Sequence, residues 1–245
     1  MKKISEQVML LELEMEFMGR DSIIHPLLLL DKGYTMLIDA GLPGQYEQLS
    51  DELKAAGTAP ELLDSVLFTH QDLDHIGCLP ELDATNRYAT FYAHEEDAPY
   101  IRGERPLLKN NVVPWQSQLT QLPHGRIDRY LSHRQQFYIA GGMEVIHTPG
   151  HTSGHVCLLL RQERALIAGD IVFYIDDELV LPPVELTEDL PAAMHSLEQL
   201  LSYDFDTLIC YHGGVCHDAQ ARLRRLVEQS PVQRRLHNGS YPAGS

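Results

Sequence analysis

The chain is expected to fold as an α/β protein in which two mixed sheets pack together with helices outside. Two observations predict this. Short apolar runs bounded by Gly, Pro, Asn or Asp read as strands, and they come in meanders. The same order, strands first and a helix after them, occurs twice along the chain. A third observation gives the arrangement a purpose: at four separate points a strand-like run ends in a residue type that binds metals, followed closely by a residue that turns the chain.

Residues 7–18 alternate apolar and polar, and residues 22–30 are apolar. Asp31-Lys32-Gly33 turns the chain into a strand over 34–38, so the start is a meander. A helix is expected from about 44 to 56, with Gly57 as its stop. Ser65-Val66-Leu67-Phe68 and Ala89 to Ala93 are further strands. The second half repeats the scheme with strands near 143–147, 155–160, 164–168 and 206–210. Thr187 is expected to cap a helix running through Met194 and Leu197 to Leu201, with Pro191 tolerated in its first turn. Another helix spans roughly 217–229.

The densest chemistry follows Ser65–Phe68. Thr69-His70-Gln71-Asp72-Leu73-Asp74-His75 places two histidines and two aspartates within six residues, at the point where a buried strand gives way to a loop. Imidazoles and carboxylates converging on one point form a cradle for a divalent metal. His151 in Thr148-Pro149-Gly150-His151, Asp170 in Ala168-Gly169-Asp170, and His212 in Tyr211-His212-Gly213-Gly214 stand behind strands in the same way.

Taken together and in order, these motifs resemble those of the metallo-β-lactamase superfamily, and the likeness covers nearly the whole chain. That family carries an Asp at an early strand end, a H-x-H-x-D-H loop, and then His, Asp and His. Asp39 in Leu37-Ile38-Asp39-Ala40-Gly41 fits the first, His70 to His75 the second, and His151, Asp170 and His212 the rest. The resemblance implies an αββα sandwich in one domain over 1–245. It implies His70, Asp72 and His151 on one metal, Asp74, His75 and His212 on the other, and Asp170 bridging both. Asp39 would position the histidine loop.

One departure matters. The loop reads H-x-D-x-D-H, with Asp72 where the family has His. Two divalent cations, three carboxylates and one bridging hydroxide then sum to zero charge. The extra carboxylate weakens the Lewis acidity of the first metal and hardens the site, shifting preference from zinc toward manganese or iron. The flavodiiron relatives of the family make a similar replacement and hold iron. The other reading of Asp72 is a solvent-facing or helix-capping residue, which would leave the first metal short of ligands.

Composition narrows the partners. The 245 residues hold 19 Lys and Arg against 35 Asp and Glu, a formal net charge of −16. Such a balance disfavours nucleic acid, because binding a phosphate backbone needs basic patches. Only Arg222-Leu223-Arg224-Arg225 and Arg234-Arg235 have any density. Cys78, Cys157, Cys210 and Cys216 form no C-x-x-C pair, and unpaired cysteines in apolar strands suit a reducing cytoplasm. Glu6, Glu12, Glu14 and Glu16 break the N-terminal apolar residues, so neither a signal peptide nor a membrane partner is expected.

Residues 94–141 break the pattern, and the resemblance implies that this segment covers the active-site mouth. His94, Tyr100, Arg102, Lys109, Trp115 and His124 are the side chains there that could meet a small-molecule substrate, Arg102 and Lys109 through a carboxylate. Taken singly, each is more simply a surface or packing residue. Tyr174 is a weaker candidate for an oxyanion donor, and His147 and His155 are expected in structural or supporting roles. The tail 230–245 suits a loosely ordered end, or a strap around a second subunit in an oligomer.

The resemblance implies metal-assisted hydrolysis of an ester-type bond, a lactone or thioester, by a hydroxide shared between two divalent ions (zinc, iron or manganese). Asp170 would bridge, and Asp74 would also accept the proton destined for the leaving group. The alternatives are a diiron redox protein served by an electron-donating partner, and a non-catalytic member with a degenerate site.

Overall fold

A computed structural model describes residues 1–17, 19–109 and 122–229. The first half runs β1 (Lys2–Lys3), β2 (Val8–Leu10), β3 (Leu13–Phe17), β4 (Arg20–Ile24), β5 (Leu27–Asp31) and β6 (Tyr34–Ile38). Helix α1 (Tyr46–Ala55), β7 (Ser65–Leu67), α2 (Leu73–Ile76), α3 (Leu79–Thr85), β8 (Thr90–His94), α4 (Ala98–Ile101) and β9 (Arg129–Leu131) follow. The second half runs β10 (Gln136–Phe137), β11 (Met143–His147), β12 (Val156–Leu160), β13 (Ala165–Gly169), β14 (Phe173–Ile175) and β15 (Glu178–Val180). It ends with α5 (Leu190–Leu200), β16 (Thr207–Cys210), β17 (Gly214–Cys216) and α6 (Ala219–Gln229).

These strands build a seven-stranded sheet in the order β1-β2-β5-β6-β7-β8-β9 and a six-stranded sheet in the order β10-β11-β12-β13-β16-β17. Both are mixed, antiparallel at the start and parallel where a helix intervenes, as at β6–β7 and β13–β16. Alternation explains the layers. Leu27, Leu29, Met36 and Ile38 point inward against Val145, Leu158, Ile167 and Ile209 of the other sheet. Their neighbours Leu28 and Leu37 point outward, under Leu49 and Leu53 of α1. Ile146, Leu159 and Leu166 point outward in the second sheet, under Met194 and Leu197 of α5 and Leu223 of α6. Strands covered on both faces must be apolar throughout, and β12 and β13 are buried at every residue. The result is the αββα sandwich expected from the sequence.

Three details differ from the sequence expectation. The alternating run 7–18 is two strands: β2 joins the large sheet, while β3 pairs only with β4 in a separate hairpin. The apolar run 22–30 likewise breaks at His25-Pro26, because proline has no N–H to give a ladder. The cap of α5 is Asp189, not Thr187. The Asp189 carboxylate accepts from Ala192 N at 3.0 Å, whereas Thr187 closes a short 3₁₀ turn over Val184–Leu186.

Candidate metal centre

All seven expected donors lie where strands end along one rim of the sandwich. His70, Asp72, Asp74 and His75 follow β7, His151 follows β11, Asp170 follows β13 and His212 follows β16. Their donor atoms fall into two groups, Asp74-His75-Asp170-His212 and His70-Asp72-His151, each within 4.8 Å internally. Asp170 also reaches the second group, its Oδ2 standing 3.7 Å from His151 Nε2 and 3.3 Å from His212 Nε2. Asp72 occupies the position before α2 but makes no capping hydrogen bond. Its carboxylate turns instead toward His70 Nε2 at 3.4 Å and His151 Nε2 at 3.0 Å.

The donor set fits a divalent cation. His70 Nε2, His75 Nε2 and Asp170 Oδ1 are fully buried and make no hydrogen bond, an expensive condition for polar atoms that the 3.3 Å charge contact between the last two relieves only in part. Electrostatics points the same way. Burial works to lower the His212 pKa, but Asp170 and Asp74 overcome it and raise it to about 9. Burial likewise opposes charge on His75, and Asp39, Asp170 and Asp74 hold its pKa well above the usual value. The charges of Asp74 and Asp170 thus favour a positive charge at this point. In the other group, burial and the Lys109 ammonium push His151 down to about 4. Lys109 Nζ lies 2.6 Å from Asp72 Oδ2 and 2.8 Å from His151 Nε2.

A further set of side chains holds the donors in place. Asp39 has a left-handed backbone (φ 61°) and is buried. It accepts from Thr69 N and Thr69 Oγ1, both at 2.8 Å, and faces His75 Nδ1 at 2.9 Å. His155 takes the hydrogen bond of Asp170 N at 3.0 Å, and Thr148 Oγ1 meets its other ring nitrogen at 2.8 Å. Gly169 makes that approach feasible: it sits at φ 52°, and a Cβ there would come within 2.5 Å of His155 Nε2. The Tyr211 ring lies 3.8 Å from the His75 ring, and its hydroxyl donates to the Asp74 carbonyl.

Sequence reasoning missed Asp97. Fully buried, it ties the first donor loop to the third, accepting from Gln71 N at 3.0 Å, Thr152 Oγ1 at 2.7 Å and Gly154 N at 2.9 Å. Its only sequence signal is its place before Ala98-Pro99 at the start of α4.

A family model described as the metallo-beta-lactamase superfamily matches residues 21–212, a span running from the β3–β4 hairpin to the last histidine of the cluster. The chain belongs to the metallo-beta-lactamase superfamily. It is 30% identical over 201 residues to a probable metallo-hydrolase of Bacillus subtilis, YflN, covering 73% of this chain and 75% of that one. It is 28% identical over 202 residues to an atrochrysone carboxyl ACP thioesterase of Aspergillus fumigatus. That match covers 82% of this chain but spans only 54% of the thioesterase. In fold it is similar to a metallo-beta-lactamase family protein of Thermus thermophilus, with a TM-score of 0.74, 22% identity, and coverage of 96% of this chain and 82% of the other.

The remaining expected residues of this superfamily member scatter. Arg102 pairs with Glu104 at 2.7 Å and with the Tyr130 hydroxyl at 2.9 Å, at the surface. His94 stacks on His147 at 4.0 Å, and burial pushes its pKa down to about 4. Tyr100 packs against the core, and His124 is exposed beside Gly103. The Tyr174 hydroxyl donates to Asp177. Cys78 is buried beside α3, and burial drives its thiol pKa up to about 12, an inert state. Trp115 and the tail lie outside the described residues, as do 110–121 of the expected cover. Beside His212 opens a cavity of about 720 Å³ between the β3–β4 hairpin and β14, lined by Arg20, Ile23, Phe173, Tyr174 and Ile175.

Proposed function

We propose that the protein is a metal-dependent hydrolase that cleaves an ester-type bond, a thioester or lactone, in a small molecule. The observation that carries this reading is the convergence of seven donors on one rim, with buried ring nitrogens aimed inward and a half-apolar cavity opening beside His212. The residues that would hold two divalent ions are His70, Asp72 and His151 for one, Asp74, His75 and His212 for the other, and Asp170 for both. The chemistry supplied by ions held there is polarisation of a carbonyl and generation of a nucleophile from water near neutral pH. Three carboxylates among seven donors favour iron or manganese, with zinc next.

The protein's own part is positioning and proton handling. Asp39 fixes the His75 ring through Nδ1, leaving Nε2 to face the centre. His155 fixes the Asp170 backbone. Asp74 has the most exposed of the three carboxylates, its side chain 19% accessible against 15% for Asp72 and 5% for Asp170. It is therefore the group placed to take a proton and pass it to the leaving group. Ile23, Phe173 and Ile175 give the cavity an apolar wall suited to an acyl chain, and Arg20, Asp21 and Asp176 give it a charged edge of both signs. The name of the Aspergillus relative, a carboxyl ACP thioesterase, supports the thioester side. Four buried free thiols support a reducing, cytoplasmic setting. Among the described residues no helix is long and apolar enough to cross a membrane.

The test is a panel of acyl thioesters and lactones assayed with the purified protein, before and after chelation. Hydrolysis of one class is expected, lost on chelation, restored by manganese, iron or zinc, and absent in Asp170→Ala. Activity that survives both chelation and Asp170→Ala would refute the reading.

A further inference from the structure

The Lys109 ammonium is the one lysine or arginine group drawn into the centre among the described residues, and its position has consequences for how the centre fills. Nζ, Asp72 Oδ2 and His151 Nε2 form a triangle with sides of 2.6, 2.8 and 3.0 Å. Lys109 thus stands against both donor atoms, which lie 3.0 Å from one another. A neutral imidazole nitrogen has a single in-plane lone pair. With Nε2 unprotonated, the lone pair that faces Lys109 at 2.8 Å is the one a metal must take. Ammonium and metal ion therefore exclude one another at His151.

The chain that carries the lysine is tied to the donor loop just before it. Lys109 is 8% exposed, and a buried ammonium persists only when paired. Leu107 is buried, and Leu108 N donates to Gln71 Oε1 at 3.3 Å, next to Asp72 in the donor loop. Asp97 in turn holds Gln71 through its backbone N–H. No lysine or arginine lies in the other half among the described residues; there Asp74 and Asp170 pair with the imidazoles of His75 and His212, whose protons exchange with solvent whereas the Lys109 ammonium is tethered to the chain.

We propose that Lys109 is a built-in cation of the His70-Asp72-His151 half and makes the centre fill in sequence. The Asp74-His75-Asp170-His212 half takes a divalent ion first, and the other half takes one only when Lys109 leaves. The inference rests on the two-ion reading above. It deepens that reading by making metal occupancy depend on the segment that carries Lys109.

The test is a titration of chelator-stripped full-length protein with cobalt(II), followed by calorimetry and by visible absorption, for wild type, Lys109→Met and Lys109→Gln. A lysine seated nine times in ten weakens the second ion about tenfold, because apparent affinity scales with the competent fraction. Wild type is expected to bind one cobalt tightly and a second weakly. Both variants should bind the second at least about tenfold more tightly than wild type, with the first unchanged within about threefold. Second-ion binding that is equal in wild type and variants, or weaker in the variants, would overturn the proposal. Absence of even the first ion in wild type would instead sink the metal-centre reading itself. Melting curves establish that each variant folds, and should Lys109→Met fail to fold, Lys109→Gln decides by the same criterion.

Discussion

Asp39 Oδ2 lies 2.9 Å from His75 Nδ1, while the other nitrogen of the same ring faces the donor cluster. One carboxylate thus sets both the tautomer and the angle of a candidate ligand, and through Thr69 it also anchors the start of the donor loop. Asp39→Ala removes the acceptor of Thr69 N and leaves the Thr69 hydroxyl and His75 Nδ1 with only their weaker contacts to neighbouring groups of the donor loop. Metal affinity should fall about 10- to 100-fold, the range seen when such orienting groups are removed. Competition with a fluorescent chelator measures it, and unchanged affinity would mean that Asp39 does not orient His75.

Asp97 joins two donor loops without touching the donors' own ring nitrogens or carboxylates. Replacing it with Ala strands a backbone N–H at Gln71 and another at Gly154. A loss of about 3 kcal/mol is expected, an order-of-magnitude figure for a buried, multiply bonded carboxylate. In a protein of this size that lowers the melting temperature by about 6–12 °C. Thermal denaturation of the metal-saturated protein checks it.

Stripped of metal by a chelator, the protein should be most stable near pH 6.5. His212, raised to about 9, and His75, also raised, contribute stability that is complete below their unfolded value of 6.5. That contribution is lost as pH climbs through about 9. His151 and His94, both lowered to about 4, act oppositely. The unfolded chain binds their protons first, so stability falls as pH drops from 6.5 toward 4. Melting temperatures between about pH 5 and 9.5 should trace a dome with limbs worth on the order of a few kcal/mol. A curve rising steadily to about pH 9 would show that the imidazoles do not neutralise Asp74 and Asp170.

The cavity beside His212 makes a prediction about substrate. Ile23, 42% exposed on the β3–β4 hairpin, is part of its apolar wall. Ile23→Asp should raise KM for long-chain acyl substrates about tenfold and leave kcat within about twofold, because it removes binding that ground and transition states share. A fall in kcat with KM unchanged would place the substrate elsewhere.

The convergence of the seven candidate donors was legible because each stands behind a buried apolar strand, and strand ends on one edge converge whatever the loops between them do. Asp39 was legible for the same reason. Lys109 as a partner of Asp72, and Asp97 as a tie between loops, were not. Both sit in irregular chain, where no period shows which way a side chain turns. The β3–β4 hairpin was hidden because alternation continues across Leu11-Glu12, although the chain leaves the sheet there. Thr187, Glu188 and Asp189 all stand before Pro191, and only backbone geometry selects Asp189 over Thr187 as the cap.

The most direct test of the central claim is the metal content of protein purified without added metal, in ions per chain by plasma mass spectrometry, for wild type and Asp170→Ala. The account predicts at least one iron, manganese or zinc ion per wild-type chain and almost none in the variant. A folded wild type without transition metal that takes none up on addition, or an Asp170→Ala protein that keeps the full complement, would contradict it.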